Sequence, residues 1–197
     1  MENGKKFWRD KKVVVTGHTG FKGAWLSLWL KEREAKVYGI SLEPIGNPNL
    51  FDELNIEKEI DHKIMDIRRG ELLKTHIRNI KPDIVFHMAA QALVSEGYRN
   101  PVNTWETNFN GSLNLLKATK ELRNKCAVVM ITTDKVYKNK ECKVGYKEED
   151  ELGGVDPYSA SKTACEIMIK SWNFNNLYTD NNIIRIGTGR AGNVIGG

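Results

Sequence analysis

The run Lys12–Thr16 (KVVVT) leads directly into Gly17-His18-Thr19-Gly20-Phe21-Lys22-Gly23, and an apolar, helix-patterned stretch follows. A continuous β-branched run of this kind reads as a strand buried on both faces, the signature of a parallel sheet. The glycines let the chain turn tightly into the next helix, whose N-terminus presents unpaired N–H groups and a partial positive charge. The spacing is GxxGxxG, not the GxGxxG of most dinucleotide-binding turns. By itself it serves an ordinary strand-to-helix turn equally well. Its place between a buried strand and an apolar helix is the context that a pyrophosphate site requires.

The remaining chain repeats this alternation. Phe21–Arg33 predicts a helix with Phe21, Trp25, Leu28 and Trp29 on its apolar face. Strands are expected at Lys36–Leu42, Ile60–Met65, Pro82–His87, Ala127–Thr132 and Asn182–Thr188. Helices are expected near Arg68–Ile80, Val102–Leu122 and Pro157–Tyr178. Lys135–Asp156 is long, polar and irregular, and loops of that length in a compact domain usually carry function. The pattern gives an α/β fold, a Rossmann-type doubly wound parallel sheet with helices on both faces and right-handed crossovers.

Composition removes several function classes. With 40% hydrophobic and 28% charged residues in 197, the chain has enough apolar material for a core and is not disordered. The longest apolar run, Ala24–Leu30, is far short of the ~20 residues of a membrane helix. No secretory leader is legible in MENGKKFWRDKK. The first twelve residues hold +3 of the net charge of +5, so 1–11 reads as a basic leader ahead of a domain at 12–197. Such a balance is unlike a nucleic-acid surface. Cys126, Cys142 and Cys165 fit neither a disulfide framework nor a zinc site, and no metal cluster is present in the sequence. A reducing, cytoplasmic location is the natural expectation.

Other positions carry possible chemistry. An acid usually closes the second strand to hold an adenosine ribose, but Ser41 stands there, followed by Leu42 and Glu43. A serine can bond a ribose hydroxyl and does not repel a 2′-phosphate. Asp66 and Ile67 can bracket an adenine, and Asp66 serves as readily as a helix cap. Tyr158 and Lys162 lie one helical turn apart, so a helix puts them on one face. An ammonium beside a phenol lowers its pKa and makes it a base for a hydroxyl proton. Taken alone, such a pair is more often ordinary surface. Thr132-Thr133-Asp134-Lys135 lies at the carboxyl end of a predicted strand, where open α/β sheets place ligands. As a plain polar turn it is also common.

Together, TGxxGxxG (Thr16–Gly23), HMAAQ (His87–Gln91), Asn108 in TNFNGSLNLL, Thr132-Thr133-Asp134 and Tyr158-xxx-Lys162 resemble the extended short-chain dehydrogenase/reductase superfamily. GHTGFKGAWLSLWL, PNLF, TTDKVY, GGVDPYSASK and RAGNVIGG resemble its sugar-nucleotide epimerase/dehydratase group, and in particular the 4,6-dehydratases. The resemblance runs from about residue 11 to the last. It implies NAD held by Gly17, Thr19, Gly20, Phe21, Lys22, Gly23, Ser41, Asp66, Ile67, Ala89, Ala90, Gln91, Asn108, Thr132, Tyr158 and Lys162. It implies catalysis by Thr133, Asp134, Lys135, Tyr158 and Lys162, and substrate contacts from Gln91, Thr133, Arg190 and Asn193. The implied substrate is a nucleotide sugar, CDP-glucose being the expected one. Lys135 stands where most such dehydratases carry Glu, as in the CDP-glucose enzymes.

Asn108 reads equally as a buried structural amide, and Asn193 as a plain turn contact. His18 and His87 read as structural or turn residues. A 4-epimerase of the same fold and a non-catalytic NAD-binding protein are the competing readings. Asp134-Lys135 argues against the first, and the intact Thr133, Tyr158 and Lys162 against the second. The helices near Val102–Leu122 and Pro157–Tyr178, with Trp105, Leu113, Leu116, Ile167, Ile169 and Trp172, correspond to the family's dimer helices, so a homodimer or a dimer of dimers is expected. The same apolar residues also suit packing on the sheet. Family chains continue past RAGNVIGG into a smaller domain over the sugar nucleotide. The expectation is therefore a chain that binds NAD but lacks the C-terminal substrate domain and turns over poorly.

Overall fold

The computed structural model describes residues 6–141, 143–177 and 183–196. Cys142, Tyr178 and Asn182, each named above, lie outside the described residues. Six parallel strands form one sheet in the order β3-β2-β1-β4-β5-β6. They are β1 (Lys12–Thr16), β2 (Lys36–Ser41), β3 (Asp61–Ile64), β4 (Ile84–His87), β5 (Cys126–Thr133) and β6 (Ile184–Ala191). The order reverses between β1 and β4, so the carboxyl ends of those strands diverge and leave a crevice above them. β5 and β6 both run past their predicted ends, and they stay paired as far as Thr133 opposite Ala191.

Alternation of side chains divides the core. Val13 and Val15 face one layer with Val37, Ala24 and Leu30, and Val14 faces the other with Val85, Leu73, Leu115 and Ile169. Helix α1 (Phe21–Lys31) covers the first layer, with the short helices α2 (Leu50–Glu53) and α3 (Ile56–Glu59) beside it. Sequence periodicity was silent on α2 and α3, which are one turn each. Helix α4 (Gly70–Ile80) follows β3 and lies in the second layer.

Three expectations need correction. The buried side of α1 is Gly23, Ala24, Ser27 and Leu30, while Phe21, Trp25 and Trp29 are about 40% exposed. A side chain at Gly23 would collide with the Gly17 carbonyl, so only a face of small residues can lie flush on the turn. The large aromatics are displaced outward by that fit. The predicted basic leader is in part docked. Trp8 packs on Trp29 and Phe86, and Arg9 and Asp10 pair with Glu34 and Lys36.

The helix predicted over Val102–Leu122 is divided. It consists of α6 (Pro101–Trp105), a π-helical turn Glu106–Asn110, and α7 (Gly111–Lys120), preceded by α5 (Val94–Arg99). Of the apolar residues named for it and its partner α8 (Pro157–Leu177), Leu116 and Ile169 are buried in the chain's own core, whereas Trp105 and Ile167 are exposed.

Two histidines sit inside. His18 is wedged against Gly39, Phe51 and His62, and His87 lies between Thr16 and Ser112. Burial lowers His18 to about 4, with His62 adding to the effect, and lowers His87 to about 3. Both folded values are depressed, so their contribution to stability is present above the unfolded value near 6.5 and is lost as pH falls below it. We expect folding free energy to drop by about 2 kcal/mol for each histidine between pH 7 and pH 5. Urea midpoints measured at those pH values check this, and a flat profile would contradict it.

Candidate active site

The crevice at the β1/β4 switch opens into a cleft of about 840 Å³ lined by the glycine turn, the ends of β2, β4 and β5, and residues 191–194. Gly17 holds φ at +78°, and a Cβ there would lie 2.8–2.9 Å from the Met88–Ala89 backbone. At Gly20 the nearest protein atom to a Cβ is the Gly17 carbonyl at 3.4 Å. Protein contacts therefore require glycine at 17 and 23, whereas a Cβ at 20 would make only an ordinary van der Waals contact. Helix α1 begins at Gly20 with no side-chain cap and no acid in its first turn, leaving its N–H groups for a ligand. This fits the diphosphate of a dinucleotide.

Of the residues expected to hold NAD, the structure brings Gly17, Thr19, Gly20, Phe21, Lys22, Gly23, Ser41, Asp66, Ile67, Ala89, Ala90, Thr132 and Tyr158 to this one cleft. Thr133, Lys135 and Asn193 line it as well. Thr19 donates to the Leu42 carbonyl at 2.9 Å, so the 2.8 Å contact between the two hydroxyls uses the Ser41 proton. Ser41 thus offers the cleft an acceptor. Asp66 accepts from the Arg68 backbone N–H at 2.9 Å and from its guanidinium, so it caps a turn and lines the cleft together.

Asn108, Gln91, Asp134, Lys162 and Arg190 do not line it. The π turn explains Asn108. The extra residue frees the Asn108 carbonyl, which accepts from Ser112 Oγ at 2.6 Å, and points the fully buried amide at two other segments. Its Nδ2 donates to the Gln91 carbonyl and to Ser161 Oγ, and its Oδ1 accepts from Gln91 N–H. The Gln91 side chain is itself used by Leu93 and Thr104. The HMAAQ motif marked this segment, but backbone bracing and ligand contact leave the same residue types.

Arg190 turns back to Glu166 at 2.9 Å and lies over the Tyr137 ring, and Glu166 also accepts from Thr132 Oγ at 2.5 Å. In the structure it ties β6 to α8 and to the loop after β5.

The catalytic candidates gather at the end of β5. Asp156 accepts from the N–H groups of Tyr158 and Ser159, both at 3.0 Å, and Pro157 takes the first helical position, which fixes where α8 starts. Tyr158 is thereby set on the same cleft wall as Thr133. Thr133 Oγ donates to Asp134 at 3.0 Å, and Lys135 Nζ reaches the same carboxylate oxygen at 3.4 Å.

Lys162 corrects one expectation. Its ammonium donates to the Ile131 carbonyl at 3.2 Å, and burial lowers its pKa. Burial raises the Tyr158 phenol, with the Thr133 bond and the Lys135 charge opposing, and Lys162 is not among the groups that move it. The cleft residues that sequence reasoning missed, such as Met65, Met88, Leu93, Val94 and Thr107, are mostly apolar walls with no pattern of their own.

A family profile described as GDP-mannose 4,6 dehydratase matches residues 14–184. The chain is 46% identical over 197 residues to a CDP-glucose 4,6-dehydratase from Salmonella typhimurium, covering 98% of this chain and 55% of that protein. It spans about half the length of the curated relatives it matches. Its fold is similar to that of a UDP-glucose 4-epimerase from Brucella ovis crystallised with NAD, at TM-score 0.77 and 20% identity, over 91% of this chain and 51% of that one. A UDP-glucose 4-epimerase from Thermus thermophilus, also in complex with NAD, gives TM-score 0.76 at 25% identity, over 91% and 54%.

The raised phenol gives a spectroscopic test. Subtracting the ultraviolet titration of Tyr158→Phe from that of the unsubstituted protein, without added cofactor, isolates one tyrosine. Its phenolate is expected to appear only above the ordinary value near ~10. A midpoint below that value would show that another charge dominates the site.

Proposed function

Because the chain belongs to the GDP-mannose 4,6-dehydratase family, we propose that it carries the cofactor site and the proton-transfer groups of a sugar-nucleotide 4,6-dehydratase, with CDP-glucose as substrate and NAD as cofactor. The reading rests above all on Asp134 and Lys135 beside Thr133 and Tyr158 at the end of β5. An epimerase needs a phenol to move a hydroxyl proton at C4. A dehydratase needs in addition an acid and a base for C6 and C5, and this strand end supplies both.

The glycine turn and the bare N-terminus of α1 would hold the diphosphate of NAD, with Ser41 and Asp66 toward the adenosine. When bound, NAD supplies a two-electron acceptor that takes hydrogen from C4 of the hexose and returns it at C6. Tyr158 takes the 4-hydroxyl proton, and Thr133 on the same cleft wall donates a hydrogen bond to Asp134. The 4-keto group acidifies the C5 hydrogen. Lys135 removes that proton, and Asp134 gives one to the leaving C6 hydroxyl, so water departs. A lysine base must be deprotonated, so this step favours higher pH. Lys162 steadies the strand end through its bond to the Ile131 carbonyl.

The exposed apolar residues Tyr98, Val102, Trp105 and Ile167 on α5, α6 and α8 support a homodimer through these helices, in a soluble cytoplasmic enzyme.

Incubation with NAD and, side by side, CDP-, dTDP-, GDP- and UDP-hexoses tests the reading. Product with the ultraviolet absorbance of a 4-keto-6-deoxy sugar is expected with CDP-glucose. Release of a C4 epimer in its place would favour the epimerase reading. Tyr158→Phe is expected to slow C4 oxidation by about 10²–10⁴-fold. Lys135→Met should still reduce NAD but form no dehydrated product, and normal product formation would remove Lys135 from its role. Gel filtration at a monomer mass would count against the dimer.

A further inference from the structure

We propose that Arg190 is a positioning residue for water loss: its guanidinium sets the turn that carries Asp134 and Lys135, while the Tyr158 phenol is set by other contacts. This rests on the dehydratase reading above. The pair lies on a single 3₁₀ turn, Asp134–Val136, between the end of β5 and the long loop that follows. Arg190 reaches both flanks of it. Before the turn, Nη2 holds Glu166 at 2.9 Å, and the second oxygen of that carboxylate accepts from Thr132 Oγ at 2.5 Å. After the turn, the guanidinium carbon lies 4.9 Å from the centre of the Tyr137 ring, and Nη1 donates to the Glu148 carbonyl at 2.9 Å. Tyr137 in turn stacks on Tyr146, with ring centres 4.9 Å apart and planes 9° from parallel. The backbone closes the third side. Arg190 pairs with Thr132 and Ala191 with Thr133, and the next residue, Gly192, lies against the Asp134 carboxylate, where a Cβ would be 3.3 Å from Oδ2. The other oxygen, Oδ1, takes Thr133 Oγ and Lys135 Nζ.

The anchor is a stiff one. The side chains of Arg190 and Glu166 are 15% and 5% exposed, and opening a pair so enclosed strands a charge. A planar guanidinium can meet a carboxylate, a carbonyl and a ring face together, which a single ammonium cannot. The supports of the phenol are separate. Asp156 caps the start of α8, and Ser161 Oγ donates to the Tyr158 carbonyl at 2.7 Å, with Arg190 in neither contact. C4 oxidation uses the phenol, and water loss uses the acid and the base on the turn. The two halves of the reaction therefore answer to different anchors. Asp134 and Lys135 must act on two adjacent hexose carbons, and a displacement of about 1 Å is enough to spoil such an alignment.

Arg190→Gln would strand Glu166, so the informative variant is Arg190→Lys, which keeps the charge and loses the fork. In a single turnover with NAD and CDP-glucose, NADH should form within about 3-fold of the unsubstituted rate and then persist, because water loss slows by roughly 10- to 100-fold. Gly192→Ala, which crowds Asp134 and leaves the guanidinium in place, should act in the same selective way. Amide hydrogen exchange, read without substrate, should quicken by about 10-fold at residues 135–138 in Arg190→Lys and stay unchanged at Tyr158 and Ser159. Equal slowing of both steps, slowing of neither, or exchange that changes alike at both places would overturn the inference and leave the dehydratase reading standing. A selective loss in Gly192→Ala alone would place the control in the β6 backbone and also overturn it. Neither NADH nor dehydrated product from the unsubstituted protein would overturn both.

Discussion

The hydroxyl of Thr16 has one proton, and its direction is forced. The N–H groups of Met88 and Ala89 both point at the oxygen, each at 3.1 Å, so the proton must go to His87 Nδ1 at 2.8 Å. That makes Nδ1 an acceptor and, in a neutral ring, leaves the hydrogen on Nε2, which donates to Ser112 at 3.0 Å. Ser112 passes its own proton to the Asn108 carbonyl. The Asn108 amide then braces Gln91 and Ser161, and Ser161 donates to the Tyr158 carbonyl at 2.7 Å. One chain of hydrogen bonds with a single consistent polarity thus joins the glycine turn to the helix bearing the phenol. It crosses β1, β4, the π turn and α8. Protonating His87 would reverse one link and leave a donor facing a donor, and burial resists this by holding the ring neutral.

The same chain separates residues that touch the cleft from residues that aim them. Thr133, Tyr158 and Lys135 face the cleft, and Asn108, Ser161 and Glu166 stand behind them. The second group is as buried as the apolar core. Its polar atoms are satisfied by protein groups, Asn108 by Gln91 and Ser161, Ser161 also by the Tyr158 carbonyl, and Glu166 by Thr132 and Arg190, which braces this face of the sheet behind the cleft.

Much of this was legible in the sequence, for identifiable reasons. β-branched runs fix buried parallel strands, and Gly17 and Gly23 are fixed by backbone contacts that exclude any other residue. Tyr158 was findable from its one-turn spacing to Lys162 and from the motif around it. Misreadings came where one residue type serves two purposes. Trp25 and Trp29 are apolar and helically spaced, but the sheet needed the thin face of the helix. Lys162 sits one turn from Tyr158, yet its long side chain reaches a strand carbonyl instead of the phenol. Arg190 could offer its charge to a phosphate, but a neighbouring carboxylate holds it. Spacing specifies a face, and the partner on that face is settled by tertiary packing.

The π turn at Glu106–Asn110 has a consequence for how such a chain can vary over generations. It stores one residue more than an α-helix would hold. Losing that residue would restore regular winding and rotate everything downstream by about 100°. Leu115 and Leu116 would then leave the core and Ser112 would lose His87. Insertions and deletions are therefore barred from this short stretch although much of it lies near the surface. Packing constrains the length of the segment as strictly as it constrains Asn108.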